Sequence, residues 1–179
     1  MTKPSAAHEP LPEKKIPDLV EDEAFRFDAT LEFDRAELNR LRDIWKEKAA
    51  ARGFATRADF DARTMKPFMR NVSILDVVAQ SDGRRRYRYR YFGSSIVEVF
   101  GEQTGHFIEE FIPPDKMARW TAGHDLVVLS GRPLRFRIAY NSPHINYLSS
   151  ESLVLPLGDD QGTINMLLCC IYFGPKRTP

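Results

Sequence analysis

Between Arg84 and Gly101 the chain reads RRRYRYRYFGSSIVEVFG, and its period changes halfway along. From Arg86 to Tyr91, arginine and tyrosine alternate strictly. That is the mark of a strand with two unlike faces, Tyr87, Tyr89 and Tyr91 on one and Arg86, Arg88 and Arg90 on the other. At Phe92-Gly93-Ser94-Ser95 the alternation stops, and Ile96, Val97, Val99 and Phe100 cluster at helical spacing as far as Gly101. A two-faced strand that passes through a Gly-Ser turn into a short helix requires a sheet with helices laid on it, an α+β arrangement.

The flanking sequence extends this pattern in both directions. Residues 1–33 hold four prolines, show no periodicity and carry four Lys/Arg against eight Asp/Glu, so they read as an acidic, largely disordered tail. From Asp34 onward Leu38, Leu41, Trp45 and Ala49 recur at three- and four-residue steps, an amphipathic helix with Gly53 as its stop. Asp34 and Glu37 stand at capping-box spacing. Short helical turns over 56–60 and 65–69 lead into a strand over 72–78. The hairpin signal Gln80-Ser81-Asp82-Gly83 joins it to the Arg/Tyr strand.

After Pro113-Pro114, Asp115 to Ser130 reads as the longest core helix, ended by Gly131-Arg132-Pro133. Three strands close the chain. Leu134, Phe136, Ile138 and Tyr140 alternate with Arg135, Arg137 and Ala139, a turn covers 141–144, and strands over 147–157 and 163–173 flank a Gly-Asp-rich hairpin. The spacing predicts one domain over 34–174 and a short tail over 175–179. That domain is α+β, a five-stranded antiparallel sheet with a helical block on one face and an N-terminal amphipathic helix.

Composition fits a soluble globular chain, 42% hydrophobic and 28% charged. A net charge of +1 gives no field to draw the protein to nucleic acid or an anionic membrane, so neither is expected as a partner. The N-terminus has no apolar signal region and the longest apolar run, MLLCCIYF, is far short of a spanning helix, so a cytoplasmic location is expected. Cys169 and Cys170 lie within that run, and neighbours on a strand point to opposite faces, so the two are expected to be small buried hydrophobes rather than a disulfide.

Taken in order, the Leu41–Trp45 helix, RADFDARTMKPFMRNVSILDV, RYRYFGSSIVEVFG, TGHFIEEF, SGRP and ESLVLPL resemble a PAS domain. They are more closely similar to a PAS-like family common in bacteria of the proteobacterial group, formerly catalogued as a domain of unknown function. The resemblance spans nearly all of the periodic region. It implies a five-stranded antiparallel sheet cupping short helices, an interior cavity, and use in signal transduction as a sensor or interaction module. Flavin-photosensing PAS domains carry a reactive Cys in the helical block, and the corresponding stretch here, 94–130, has none, so no flavin adduct is expected. Haem-binding members hold iron through a His about one turn further from the following strand than His124, and no cofactor is expected.

Few residues stand out as carriers of chemistry. Met117, Trp120, His124 and Val127 form one stripe on the long helix and put an imidazole on the face that meets the sheet. Its readings, in order, are a core histidine bonded by its neighbours, a contact to a small ligand, and an iron ligand. Arg86, Arg88 and Arg90 are expected to face outward and to pair with Glu37, Asp43 and Glu47 of the first helix or with a partner subunit. Glu151, within a strand and in phase with Leu153 and Leu155, is expected to pair with an arginine of a neighbouring strand or to touch a ligand. No phosphate loop, zinc motif or nucleophile elbow occurs, and His8, His106, His124 and His144 are scattered, so neither a catalytic nor a metal site is expected.

The sequence therefore points to a non-enzymatic, single-domain regulatory protein that acts through a protein partner or a homodimer. Its expected contact is the first helix, through Leu38, Leu41 and Trp45. The alternative is a small-molecule sensor with an internal pocket among Phe100, Trp120, His124, Phe136 and Tyr140.

Overall fold

The computed structural model describes residues 24–141 and 143–176. In chain order they form β1 (Phe25–Asp28), α1 (Ala36–Ala49), β2 (Ala55–Thr56), α2 (Ala62–Met65), β3 (Val72–Ala79) and β4 (Arg85–Phe92). There follow α3 (Ser94–Phe100), α4 (Pro114–Ser130), β5 (Leu134–Ala139), β6 (Leu148–Gly158) and β7 (Ile164–Pro175). The sheet runs β1-β5-β6-β7-β3-β4, antiparallel at every step, with the two-residue β2 lying parallel along the end of β6. The five expected strands are β3 to β7, and they form the antiparallel sheet that the sequence predicts.

Both faces of this sheet are covered, and the alternation along each strand decides what goes where. Val72, Ile74, Leu153, Leu155, Leu157, Leu168 and Cys170 point to one face, beneath α1, Phe60, Met65 and Phe68. Leu75, Tyr87, Tyr89, Phe136, Val154, Leu167 and Cys169 point to the other, beneath α3 and α4. Cys169 and Cys170 thus sit in different cores, and both are free and buried.

Four features depart from the expectations. First, the N-terminal boundary moves: residues 25–28 form an edge strand on β5, Phe25 opposite Ile138, and Phe25 and Phe33 are buried. The apolar FRF triplet there supplies a paired edge that the surrounding acids and prolines obscure. The rest of the expected tail, residues 1–23, lies outside the described residues. At the other end β7 runs through Pro175, one residue into the stretch read as a C-terminal tail.

Second, the capping box does not form. The N-cap of α1 is Arg35, without a side-chain bond. Asn39 instead closes the entry turn, donating from Nδ2 to the Phe33 carbonyl at 2.8 Å, and the Asp34 amide donates to Glu151 Oε2 at 3.2 Å. The C-terminal stop holds: Gly53 has φ 81° and its amide donates to Ala49 O at 2.7 Å.

Third, the tyrosines do not share one face. Register slips between Ile74 and Leu75, which pair with Tyr91 and Tyr89, so Arg90 is the extra residue of a β-bulge. Tyr87 and Tyr89 pack beneath α4 and α3, while Tyr91 turns to the α1 side.

Fourth, the apolar stripe of α1 is not a free surface. Leu38 and Leu41 are completely buried on the sheet, and Trp45 donates its indole N–H to the Pro156 carbonyl at 2.9 Å. Each such side chain removed from water stabilises the fold by ~1.5–3 kcal/mol, so the stripe belongs to the core rather than to a partner. Leu41→Ala is expected to cost ~2–5 kcal/mol in urea unfolding of the monomer. Unchanged stability would mean that α1 is not docked on its own sheet.

Candidate functional site

Helix α4 has Pro at its first position and ends at Gly131, whose φ of 62° gives the left-handed turn into β5. Its inner stripe packs over β6 and β7 and meets Phe136 of β5, with one break in the row of side chains. A Cβ placed on Gly123 would stand 2.8 Å from Cζ of Phe136 and 3.4 Å from Phe27. The glycine lets the helix close down on the aromatic side chains of the sheet, despite its cost of about 1 kcal/mol inside a helix. Between α3, α4 and the sheet a cavity of about 330 Å³ remains.

Phe100, Trp120, His124, Phe136 and Tyr140 all line this cavity. They arrive from the end of α3, from α4, from β5 and from the residue after β5. Trp120 stacks on His124 with ring centroids 4.6 Å apart, while Phe136 meets the same imidazole edge-on at 5.3 Å. Phe100 touches Tyr140 at 5.4 Å and Phe111 at 5.6 Å, both edge-to-face, closing the other end.

His124 is the most constrained group of the site. It is completely buried, and Nδ1 lies 2.7 Å from the Trp120 carbonyl one turn earlier. A carbonyl oxygen only accepts, so Nδ1 carries the hydrogen. Burial pushes the imidazole down to about 4, against a smaller opposing contribution from that backbone bond, and the ring is neutral at pH 7. Nε2 is left as a lone-pair acceptor, buried and without a hydrogen-bond partner among the described residues.

The buried phenols and thiol around the cavity stay neutral too. Burial raises Tyr89, and it pushes Tyr140 and Cys169 each up to about 12. Tyr140 shares a hydrogen bond with Ser150 Oγ at 2.9 Å. Tyr87, beneath His124, is raised by burial and by the bond it donates to Asp125. Charged side chains, Asp115, Lys116 and Arg119, line only the α4 N-terminal end. Among the described residues no group of three or more His, Cys, Asp or Glu could hold a metal ion.

The electrostatic residues lie elsewhere. Arg86 pairs with Glu109 and rests on the Phe107 ring, 3.6 Å from its centroid, while Arg88 and Arg90 both reach Asp76 of β3, at 3.2 and 2.6 Å. None of them meets Glu37, Asp43 or Glu47, because α1 packs over β6 and β2 whereas β4 is the opposite edge of the sheet. Glu151 takes two bonds from Arg135 of β5, at 2.9 and 2.6 Å, on the α1 side of the sheet and away from the cavity. With the Asp34 amide on its other oxygen it anchors the entry to α1.

Sequence reasoning passed over four residues in and around the cavity. Gly123 breaks the helical pattern, and that break was the available signal. Phe25, stacked 6.2 Å from Trp120, sits in a segment whose composition reads as tail. Cys169 and Ser73 lie on strands that pair with each other, a register that only the folded sheet supplies.

No family model matches the chain, and no curated protein does. Among solved structures it is similar to the structure of an RNA-binding light-oxygen-voltage receptor. That similarity has a TM-score of 0.43 at 10% sequence identity, over 64% of this chain and 33% of the other. The chain therefore spans about a third of that receptor's length. The antiparallel sheet and the helices packed on its two faces make the fold α+β. No helix among the described residues is long and apolar enough to cross a membrane.

The depressed imidazole has a consequence for stability. In the unfolded chain His124 takes up a proton near its ordinary 6.5, but in the folded chain only near 4, so acid between these values favours unfolding. Its stabilising contribution is complete above about pH 6.5 and falls away toward pH 4, by about 3 kcal/mol in total. Urea unfolding at about pH 7 and about pH 5 should show a drop roughly 2 kcal/mol larger for the wild type than for His124→Phe. Equal drops would mean that the imidazole is not buried in its neutral form.

Proposed function

We propose that this chain is a non-enzymatic sensory domain that binds a small, largely apolar molecule between its sheet and α3–α4. The observation that carries the reading is convergence. Aromatic and imidazole side chains from separate stretches of sequence meet around one interior cavity of about 330 Å³, at the lower end of the ~300–1,000 Å³ usual for ligand sites. The absence of catalysis is supported by the state of the lining groups. The Cys169 thiol is raised rather than activated, and each phenol is likewise held neutral.

Sensing requires that occupancy favour one arrangement of the protein over another. The segment joining α3 to α4 is suited to this, because both of its ends touch the cavity. Phe100, Phe111, Ile112 and Pro113 line it, and Gly101 and Gly105, with φ 75° and 89°, give the segment its turns. A guest that packs on Phe100 and Phe111 holds the segment down; without it those rings lose a neighbour. Signalling through the apolar stripe of α1, the first expectation from sequence, is left out of the proposal because Leu38, Leu41 and Trp45 are consumed by the sheet. The resemblance of the sequence motifs to PAS domains supports a regulatory role of this kind.

Native mass spectrometry of freshly purified protein, together with a thermal-shift screen of small aromatic compounds, tests the reading. A retained organic mass, or stabilisation that grows with compound concentration and reaches about 2.7 kcal/mol at a hundredfold excess over Kd, is expected. No retained mass and no shift across the screen would contradict it.

A further inference from the structure

We infer that the guest is an amphipathic acid, an aromatic ring on a short chain that ends in a carboxylate, seated ring-inward with the carboxylate at Lys116. The inference rests on the cavity-binding reading above and goes on to specify the chemistry and orientation of the ligand.

Three observations carry it. The first is the gradient along the lining. Leu75, Tyr89, Phe92, Ile96, Phe136 and Cys169 form its deep part and are all buried, whereas Asp115, Lys116 and Asn141 are exposed. The cavity therefore opens between the first turns of α4 and the turn that follows β5. A carboxylate driven into the deep part would lose its water with no cation beside it among the described residues, so a charged end must stay at this mouth. The second is the sign of the mouth. Lys116 and Arg119 line it against the single carboxylate of Asp115. Lys176 stands on the facing rim, its Nζ donating to Asn141 Oδ1 at 2.8 Å and to the Tyr140 carbonyl at 3.3 Å, uncharged acceptors that leave its charge in place. Arg119 has a contact of its own, so the carboxylate of the guest falls to Lys116. The N-terminus of the 17-residue α4 adds partial positive charge at the same end. The third is the wall. Phe25, Phe92, Phe100, Phe111 and Trp120 present ring faces and edges, contacts that another aromatic ring satisfies. At roughly 30 Å³ for each water, the cavity has the room of about eleven waters, which suits one or two rings with a short chain.

Three ligands of one shape and different charge decide the matter. Phenylpropionate, phenylpropionamide and phenylpropylamine are each titrated into the full chain at about pH 7, with amide chemical shifts as the readout. The acid is expected to bind roughly tenfold more tightly than the amide, with the amine weakest. In Lys116→Gln, a change at an exposed position, the acid should fall to within about threefold of the amide while the amide keeps its affinity. Equal affinity of acid and amide in the wild type, or an acid preference that survives Lys116→Gln intact, would overturn the inference and leave the cavity reading standing. Tightest binding by the amine would give the mouth to Asp115 and overturn the inference in the same way. Failure of all three compounds to bind would overturn both.

Discussion

Helix α4 lies close enough to β5 for its aromatic stripe to roof the sheet because position 123 carries no side chain, and much of the interior follows from that approach. Phe136 occupies the place where a Cβ would be and meets the edge of His124. Trp120, one turn back, stacks on the other side of the imidazole and holds Nδ1 through its carbonyl. The backbone bond fixes the tautomer and burial fixes the charge, so the imidazole stands as a neutral member of the packed aromatic wall.

The sheet tolerates a cavity on this side because its other side is densely filled. Leu38, Leu41 and Trp45 of α1 interdigitate with Leu153, Leu155 and Leu157 of β6, and Glu151 with Arg135 ties the start of the helix to the strand beneath it. That ion pair is mostly shielded from solvent and is completed by the Asp34 amide, as the equally shielded Asp76 carboxylate is held by Arg88 and Arg90 on β4. One face supplies stability. The other holds the cavity and the glycine turns at Gly101 and Gly105.

Much of this was legible in the sequence. The period changes placed all five main strands and the long helix, because a strand buried on one or both faces must alternate or run apolar. The stripe at Met117, Trp120, His124 and Val127 put the imidazole against the sheet, and the five residues picked for a pocket do share one. What failed to show depends on pairing. The bulge at Arg90, which turns Tyr91 to the opposite face, arises from register with Ile74 and Leu75 and leaves no trace in a strict Arg/Tyr alternation. The partners of the arginines follow from which edge of the sheet β4 occupies. The strand at Phe25–Asp28 is too short to stand out from an acidic, proline-rich context, and the burial of the α1 stripe could not be told from an exposed interface by periodicity, since either arrangement needs the same residues.

The tautomer and charge of His124 can be read directly from the long-range proton–nitrogen spectrum of the histidine-labelled full chain at about pH 7. The account predicts a neutral ring with hydrogen on Nδ1 and an unprotonated Nε2, unchanged down to about pH 5. A ring protonated at Nε2, or one that takes its second proton near 6.5 like an exposed histidine, would contradict it.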